Sequence, residues 1–371
     1  MQIRILDSEL QMSRTFGAFK LEYDTIENAN GLYDIVFTHR ELIQDNFDSI
    51  KKYLKSTTKI VTDISIESGN IDTFLDKYEF ITKNNSFDFY LLCDTILKNK
   101  TKFNNNVKIL DDFSVVFYAY LSEYSDNHMS LNNTLFADTH DGFLSLNNSC
   151  RLHRVYLFTQ LLKRNFSLEK CSFLFSSGTP HGWQYSREIF IDCLDELLKQ
   201  QNINSELYNT VINYKLPKIL DYDNTNPLYI YNDINDLYKT ILNLVSENLT
   251  GMSDGDISKD KLFTFTEKTI KPFLAKQMPL FFALPGHVNL LRNLGFDVFD
   301  DIIRHDYDAE LDSVKRLDML LDELDRLLKV DLLEFKNKNQ IRFDKNYNHL
   351  FDLSKEGYQK VKSFLYEEIL K

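Results

Sequence analysis

The chain of 371 residues is long enough for two domains, and its 43% hydrophobic and 26% charged content is that of a globular protein. A formal net charge of −12 excludes a broad nucleic-acid grip, which needs a basic face, yet leaves room for a small basic pocket around a phosphorylated ligand. Cys93, Cys150, Cys171 and Cys193 form no C-x-x-C pair, so neither a tight zinc site nor a disulfide framework is expected, and the thiols read as those of a reduced, cytoplasmic protein. Met1 to Asp7 carries no long apolar region and no run of about 18 apolar residues occurs, so no secretory signal and no membrane span are expected.

In chain order, short apolar runs at 35–38, 59–62, 89–92 and 115–118 have the form of strands buried on both faces. Helical patterns at 41–54 and 71–78 lie among them, and the alternation predicts a parallel sheet between helices. A polar stretch, 125–148, reads as a domain boundary. Beyond it come a helix over 155–164, a strand over 171–176, a helix over 187–201, a strand over 228–231 and a helix over 234–241. Apolar runs at 242–245 and 279–284 follow, the second as a strand. Val314, Leu317, Leu321, Leu324 and Leu328 make one stripe, predicting a packing helix over 312–335, while the Lys/Asn-rich pieces 98–106 and 336–347 read as solvated loops. The organisation expected is an acceptor-side α/β domain over 1–140, a ligand-binding α/β domain over 141–310 and a helical extension over 311–371.

Three segments of the second half suit a nucleoside diphosphate. In Asn147–Arg154, Asn148 or Ser149 is placed to cap a helix, and Arg151 and Arg154 fall in its first turn. Basic side chains beside backbone N–H groups suit an anion, although the helix dipole alone would prefer acids there. Glu247 and Asn248 end an apolar segment, where ligands of doubly wound folds sit. In Thr264–Thr269, Thr266 can cap a helix, Glu267 can accept from ribose or sugar hydroxyls, and Lys268 can neutralise a diphosphate, with Pro272 implying a kink or a late start. Each segment also has a plain structural reading, as solvated arginines, a surface Glu-Asn pair and an ordinary cap.

Taken together, 245–248, 265–268 and 279–282 resemble the donor-binding stretch of the α1,3-fucosyltransferase family, and Asn147–Arg154 resembles its strand end with an arginine entering a helix. More faintly, 34–41 and 64–68 resemble its His-Arg-Glu turn and its Ser-Leu-Glu-Ser segment. The series Thr266–Thr269, Pro285-Gly286 and Leu294-Gly295-Phe296 also resembles glycosyltransferase-like proteins of phages and bacteria. Departures are Thr264-Phe265 before the Thr-Glu-Lys and Pro285-Gly286-His287-Val288 after the strand.

The resemblance implies a GT-B fold of two Rossmann-like domains facing a cleft, and a metal-independent, inverting transfer from a nucleotide sugar, first GDP-fucose, to a hydroxyl of a glycan or other acceptor. Glu67 would be the acceptor base, Arg154 and Lys268, with Arg151, would hold the diphosphate, and Glu247, Asn248 and Glu267 would lie near ribose and sugar. No other cofactor is implied. The alternative is a non-catalytic carbohydrate-binding or virion-associated protein of the same fold. Asp254-Gly255-Asp256 and Asp138–Asp141 read as a turn and a polar loop rather than metal sites, and His305–Asp308 adds no ligand pattern.

Overall fold

A computed structural model describes residues 5–7, 19, 24–25, 28–39, 52–64, 88–93, 107–125, 140–176, 185–218, 239–248, 250–252 and 265–371. The architecture is α/β with parallel sheets. The described residues fall into two compact units, one from Met1–Met129, Asp260–Phe265 and Leu350–Lys371, the other from Ser130–Lys259 and Thr266–His349. Among the described residues no helix is long and apolar enough to cross a membrane.

In the first unit, β1 (Ile5–Asp7), β2 (Asp24–Thr25), β3 (Tyr33–His39), β4 (Leu54–Ile64), β5 (Asp88–Cys93) and β6 (Val107–Asp111) form a sheet in the order β2-β1-β3-β4-β5-β6. Every neighbouring pair is parallel. The runs expected at 35–38, 59–62 and 89–92 lie inside β3, β4 and β5. The run at 115–118 is not a strand but part of α1 (Phe113–Ser125). Asp112 turns the chain there, its Oδ1 accepting from Ser114 N at 2.8 Å. Residues 113–118 are all buried, so a helix apolar all round showed no period of its own.

Ile5, Ile35, Phe37, Val61 and Tyr90 pack with Val115 and Tyr118 of α1 and with Val361, Leu365 and Ile369 near the C-terminus. Lys59 Nζ donates to the carbonyls of Glu368 and Ile369 at 3.1 and 2.7 Å, satisfying the last turn of the chain, where a cation also suits the helix dipole. The expected helices at 41–54 and 71–78 lie outside the described residues, apart from 52–54, which lead into β4.

The second unit contains β7 (His140–Ser149), α2 (Leu152–Lys163), β8 (Cys171–Ser176), α3 (Arg187–Lys199), α4 (Ser205–Ile212), β9 (Thr240–Ser246), α5 (Glu267–Leu274), β10 (Met278–Phe282), α6 (His287–Asn293), α7 (Ser313–Leu327) and α8 (Leu332–Lys338). Its sheet is parallel, in the order β10-β9-β7-β8. Every residue of β9 and β10 is buried, as covering on both faces requires.

Four expectations change here. Much of the polar 125–148 stretch that is described belongs to the central strand β7, where buried polar groups bond inward. Ser145 Oγ donates to Leu244 O at 3.0 Å, and Asn147 Nδ2 donates to Ser145 Oγ at 3.0 Å. The helix expected over 234–241 is overtaken at its end by β9, while 228–231 lies outside the described residues. The helix expected over 312–335 is two, because α7 ends at Leu327 and Asp331 caps α8 through Glu334 N at 2.8 Å. The expected loop at 336–347 is helical, completing α8 and opening the C-terminal helix Gln340–Ser363. Arg342 there forks onto Asp297, with Nε to Oδ2 at 2.6 Å and Nη2 to Oδ1 at 2.9 Å.

Candidate functional site

From β7 the chain passes to β8 on one side of the sheet, and β9 with β10 lie on the other. The carboxyl ends of β7 and β9 therefore flank a topological switch point, where diverging connections leave a crevice in open α/β sheets. The segment after β7 is Cys150-Arg151 leading into α2, and the segment after β9 is Glu247-Asn248.

Arg151 itself is the N-cap of α2, without any side-chain cap and with no acid in the first turn, so neither Asn148 nor Ser149 caps it as expected. Both residues still belong to β7, and Arg151 O closes the first turn by accepting from Arg154 N and Val155 N, each at 3.0 Å. Arg154 follows three residues on and is 2% exposed. Its Nη2 donates to Asn248 Oδ1 at 2.9 Å and its Nη1 to Ser149 O at 3.3 Å, while Nε has no partner. Arg151 Nη1 donates to Asn248 O at 3.0 Å. Among the described residues neither arginine has a carboxylate in an ion pair. Burial, with Arg151 adding to it, brings the Arg154 guanidinium down to about 10 despite Glu267 and Glu247.

Glu247 is 2% exposed. Its N–H donates to Phe282 O at 3.0 Å, tying the end of β9 to β10. Its Oε2 accepts from Thr266 Oγ1 at 2.8 Å and from Asn248 N at 3.2 Å, and its Oε1 accepts from Thr269 Oγ1. Thr269 Oγ1 in turn lies 3.2 Å from His287 Nε2. Burial drives the His287 imidazole down to about 4, with Asp308 opposing.

Thr266 is the N-cap of α5, its Oγ1 accepting from Lys268 N at 3.2 Å. Pro272 lies inside that helix and does not delay its start. Lys268 Nζ meets Glu267 Oε1 at 2.7 Å, and the two side chains, 21% and 27% exposed, open to solvent where Glu247, Asn248 and Thr266 do not. Burial pushes the Glu267 carboxyl up, but Lys268 and Lys271 outweigh it and hold the group at about 2.

The structure thus brings Arg151, Arg154, Glu247, Asn248, Thr266, Glu267 and Lys268 together at one end of one sheet. It divides their work. Glu247, Asn248 and Thr266 spend their side chains on the frame, and Arg151, Glu267 and Lys268 remain partly accessible. Three residues outside the sequence-based set join them. Thr269 and His287 back Glu247, and His153, 1% exposed, stands edge-on to Phe282. Burial and the cations Arg154, Arg151 and Lys268 hold His153 well below the usual imidazole range, hence neutral. Only the cap Thr266 has a local sequence signal. Thr269 stands one turn further along α5, but nothing in the sequence says which way it faces.

Glu67 lies outside the described residues, as do Asp138, Thr139 and Asp254-Gly255-Asp256. Among the described residues no group of three or more His, Cys, Asp or Glu could hold a metal ion. In the His305–Asp308 turn, both Asp308 oxygens accept backbone N–H groups of α6, from Val288 and Asn289 at 3.0 Å each. Comparison with models of protein families, with curated proteins and with solved structures found no match.

Proposed function

We propose that the ends of β7 and β9 with the start of α5 are the donor site of an inverting glycosyltransferase that uses a nucleoside-diphosphate sugar, with GDP-fucose the first candidate. The observation that carries this reading is a buried Arg154 beside Arg151, both without an ion-paired carboxylate among the described residues, at the switch point of a parallel sheet. A buried cation is costly unless an anion or several hydrogen bonds meet it. Among the described residues Arg154 has two such bonds, and its Nε has no partner. A diphosphate would supply the missing charge, and the uncapped start of α2 favours the same ligand.

In this reading the two α/β units are the halves of a GT-B enzyme. Arg151, Arg154 and Lys268 meet the diphosphate, and Glu267 accepts from ribose or sugar hydroxyls. The acceptor oxygen attacks the anomeric carbon, its proton passes to Glu67, and the bond from that carbon to the diphosphate breaks. The negative charge that then grows on the leaving group is offset by the fixed cations, so Lys268 contributes most where the transition state differs from the bound donor.

A panel of GDP-, UDP- and ADP-sugars, with product analysis with and without a glycan acceptor, tests this. One donor should give transfer, and Lys268→Ala should lower kcat about 100-fold, the scale of one lost charge-stabilising group, at unchanged Tm. Near-normal turnover of Lys268→Ala would sink the assignment of Lys268. Saturable donor binding with no product, indifferent to Glu67→Gln, would make the protein a carbohydrate-binding one.

A further inference from the structure

Both arginines hold Asn248, Arg154 through its side-chain oxygen and Arg151 through its carbonyl. What fixes Asn248 therefore fixes the cations. Its own N–H is bound by the carboxylate of Glu247, at 3.2 Å, so the question passes back one residue. That carboxylate is fastened from the cap and first turn of α5, by Thr266 on Oε2 and Thr269 on Oε1.

Thr266 has an ordinary reason to be there, since its hydroxyl also caps the helix. Thr269 has none within its own helix. A threonine hydroxyl has one proton, and here it goes to Glu247 Oε1. The contact from His287 Nε2 at 3.2 Å must then run the other way, with the imidazole donating. A neutral histidine has one N–H, so this bond places it on Nε2. His287, Thr269 and Glu247 are all buried.

We infer that His287 and Thr269 form a positioning relay that locks Glu247 and, through Asn248, sets Arg151 and Arg154 in place before any ligand arrives. Two runs of donors meet on the Glu247 carboxylate, one from the start of α6 through α5, the other from α2 through Asn248. The relay rests on reading the arginines as the diphosphate cations, and its physical content is preorganisation: guanidinium groups already held cost less ordering when the anion binds. Neither relay residue touches the ligand. Both are positioning residues.

The test uses the full chain with 15N-labelled arginine and compares Thr269→Val, which keeps the shape and removes the hydroxyl, with Thr269→Ser, which keeps the hydroxyl. Two quantities are read: hydrogen exchange of the Arg154 guanidinium without ligand, and calorimetric affinity for GDP, UDP and ADP. The relay predicts faster Arg154 exchange and about tenfold weaker nucleotide binding in Thr269→Val, the size of one lost buried hydrogen bond, with both restored in Thr269→Ser. His287→Gln, which keeps an N–H at similar reach, should resemble the wild type, and His287→Phe should resemble Thr269→Val. The histidine pair decides the matter if Thr269→Val does not fold. Unchanged Arg154 exchange in both Thr269→Val and His287→Phe overturns the relay, as does loss in Thr269→Val without recovery in Thr269→Ser. If the exchange responds as expected while no nucleoside diphosphate binds the wild type, the relay stands and the donor-site reading falls.

Discussion

Lys268 and Glu267 illustrate what a short segment discloses and what it hides. Capping chemistry is local, so Thr266 as N-cap was readable from the sequence, and with it the position of Lys268 in the first turn of α5. The task of Glu247 was not readable, because its partners Thr266 and Thr269 lie 19 and 22 residues away and only the fold delivers them. A carboxylate placed near ribose on sequence grounds turns out to have both oxygens engaged inside the frame. The titrating groups of this frame give a prediction with a definite sign. His287 is held at about 4 against an ordinary 6.5, so the folded state disfavours its charged form; the stability this contributes is complete above 6.5 and lost as the pH falls through about 4. Glu267, held at about 2 against 4.5, contributes stability that is complete above 4.5 and lost below it. Urea midpoints should therefore fall from pH 6.5 downward, by on the order of 3 kcal/mol for His287 alone between pH 6.5 and pH 4. His287→Gln should flatten that upper limb and leave the lower one. A midpoint constant from pH 7 to pH 4 in the wild type would contradict the burial of a neutral His287.

At the scale of elements, legibility follows exposure. The runs inside β3, β4, β5 and β10 were recognisable because short, doubly buried strands are bounded apolar runs. Val115–Tyr118 has the same composition and is a helix, since burial on every side erases the difference in period. Residues 336–347 misled in the opposite direction. Lysine and asparagine suggested solvent, yet Lys336, Phe343 and Asn346 are buried, and Asn346 Nδ2 donates to Asp297 O at 2.7 Å. The C-terminal helix also explains a glycine in an unfavourable place. A Cβ on Gly357 would stand 2.0 Å from Ser114 O, so α1 and this helix approach too closely for any side chain there. Gly357→Ala should gain helix propensity and still lose about 3 kcal/mol through overpacking, read as a lower urea midpoint. A stabilised Gly357→Ala variant would mean that the two helices do not pack in this way.

For the molecule as a whole, alternation of strand and helix was enough to predict parallel α/β architecture, which the sheets bear out. The strand order was not available from the sequence, and it is what gives the site its place: only the order β10-β9-β7-β8 makes the ends of β7 and β9 a switch point. The overall charge of −12 was a poor guide to that place. Two arginines and a lysine, partly offset by Glu247 and Glu267, set the local potential at one sheet end, while distant charges are screened within about 10 Å at ordinary salt. The central claim is that this cluster binds a nucleoside diphosphate, and calorimetric titration of GDP, UDP and ADP into the wild type and Lys268→Ala tests it most directly. The wild type should bind one of the three saturably, and a Lys268→Ala protein of equal Tm should bind it about tenfold or more weakly. Absence of binding by all three at millimolar concentration, or equal affinity in the two proteins, would contradict that claim.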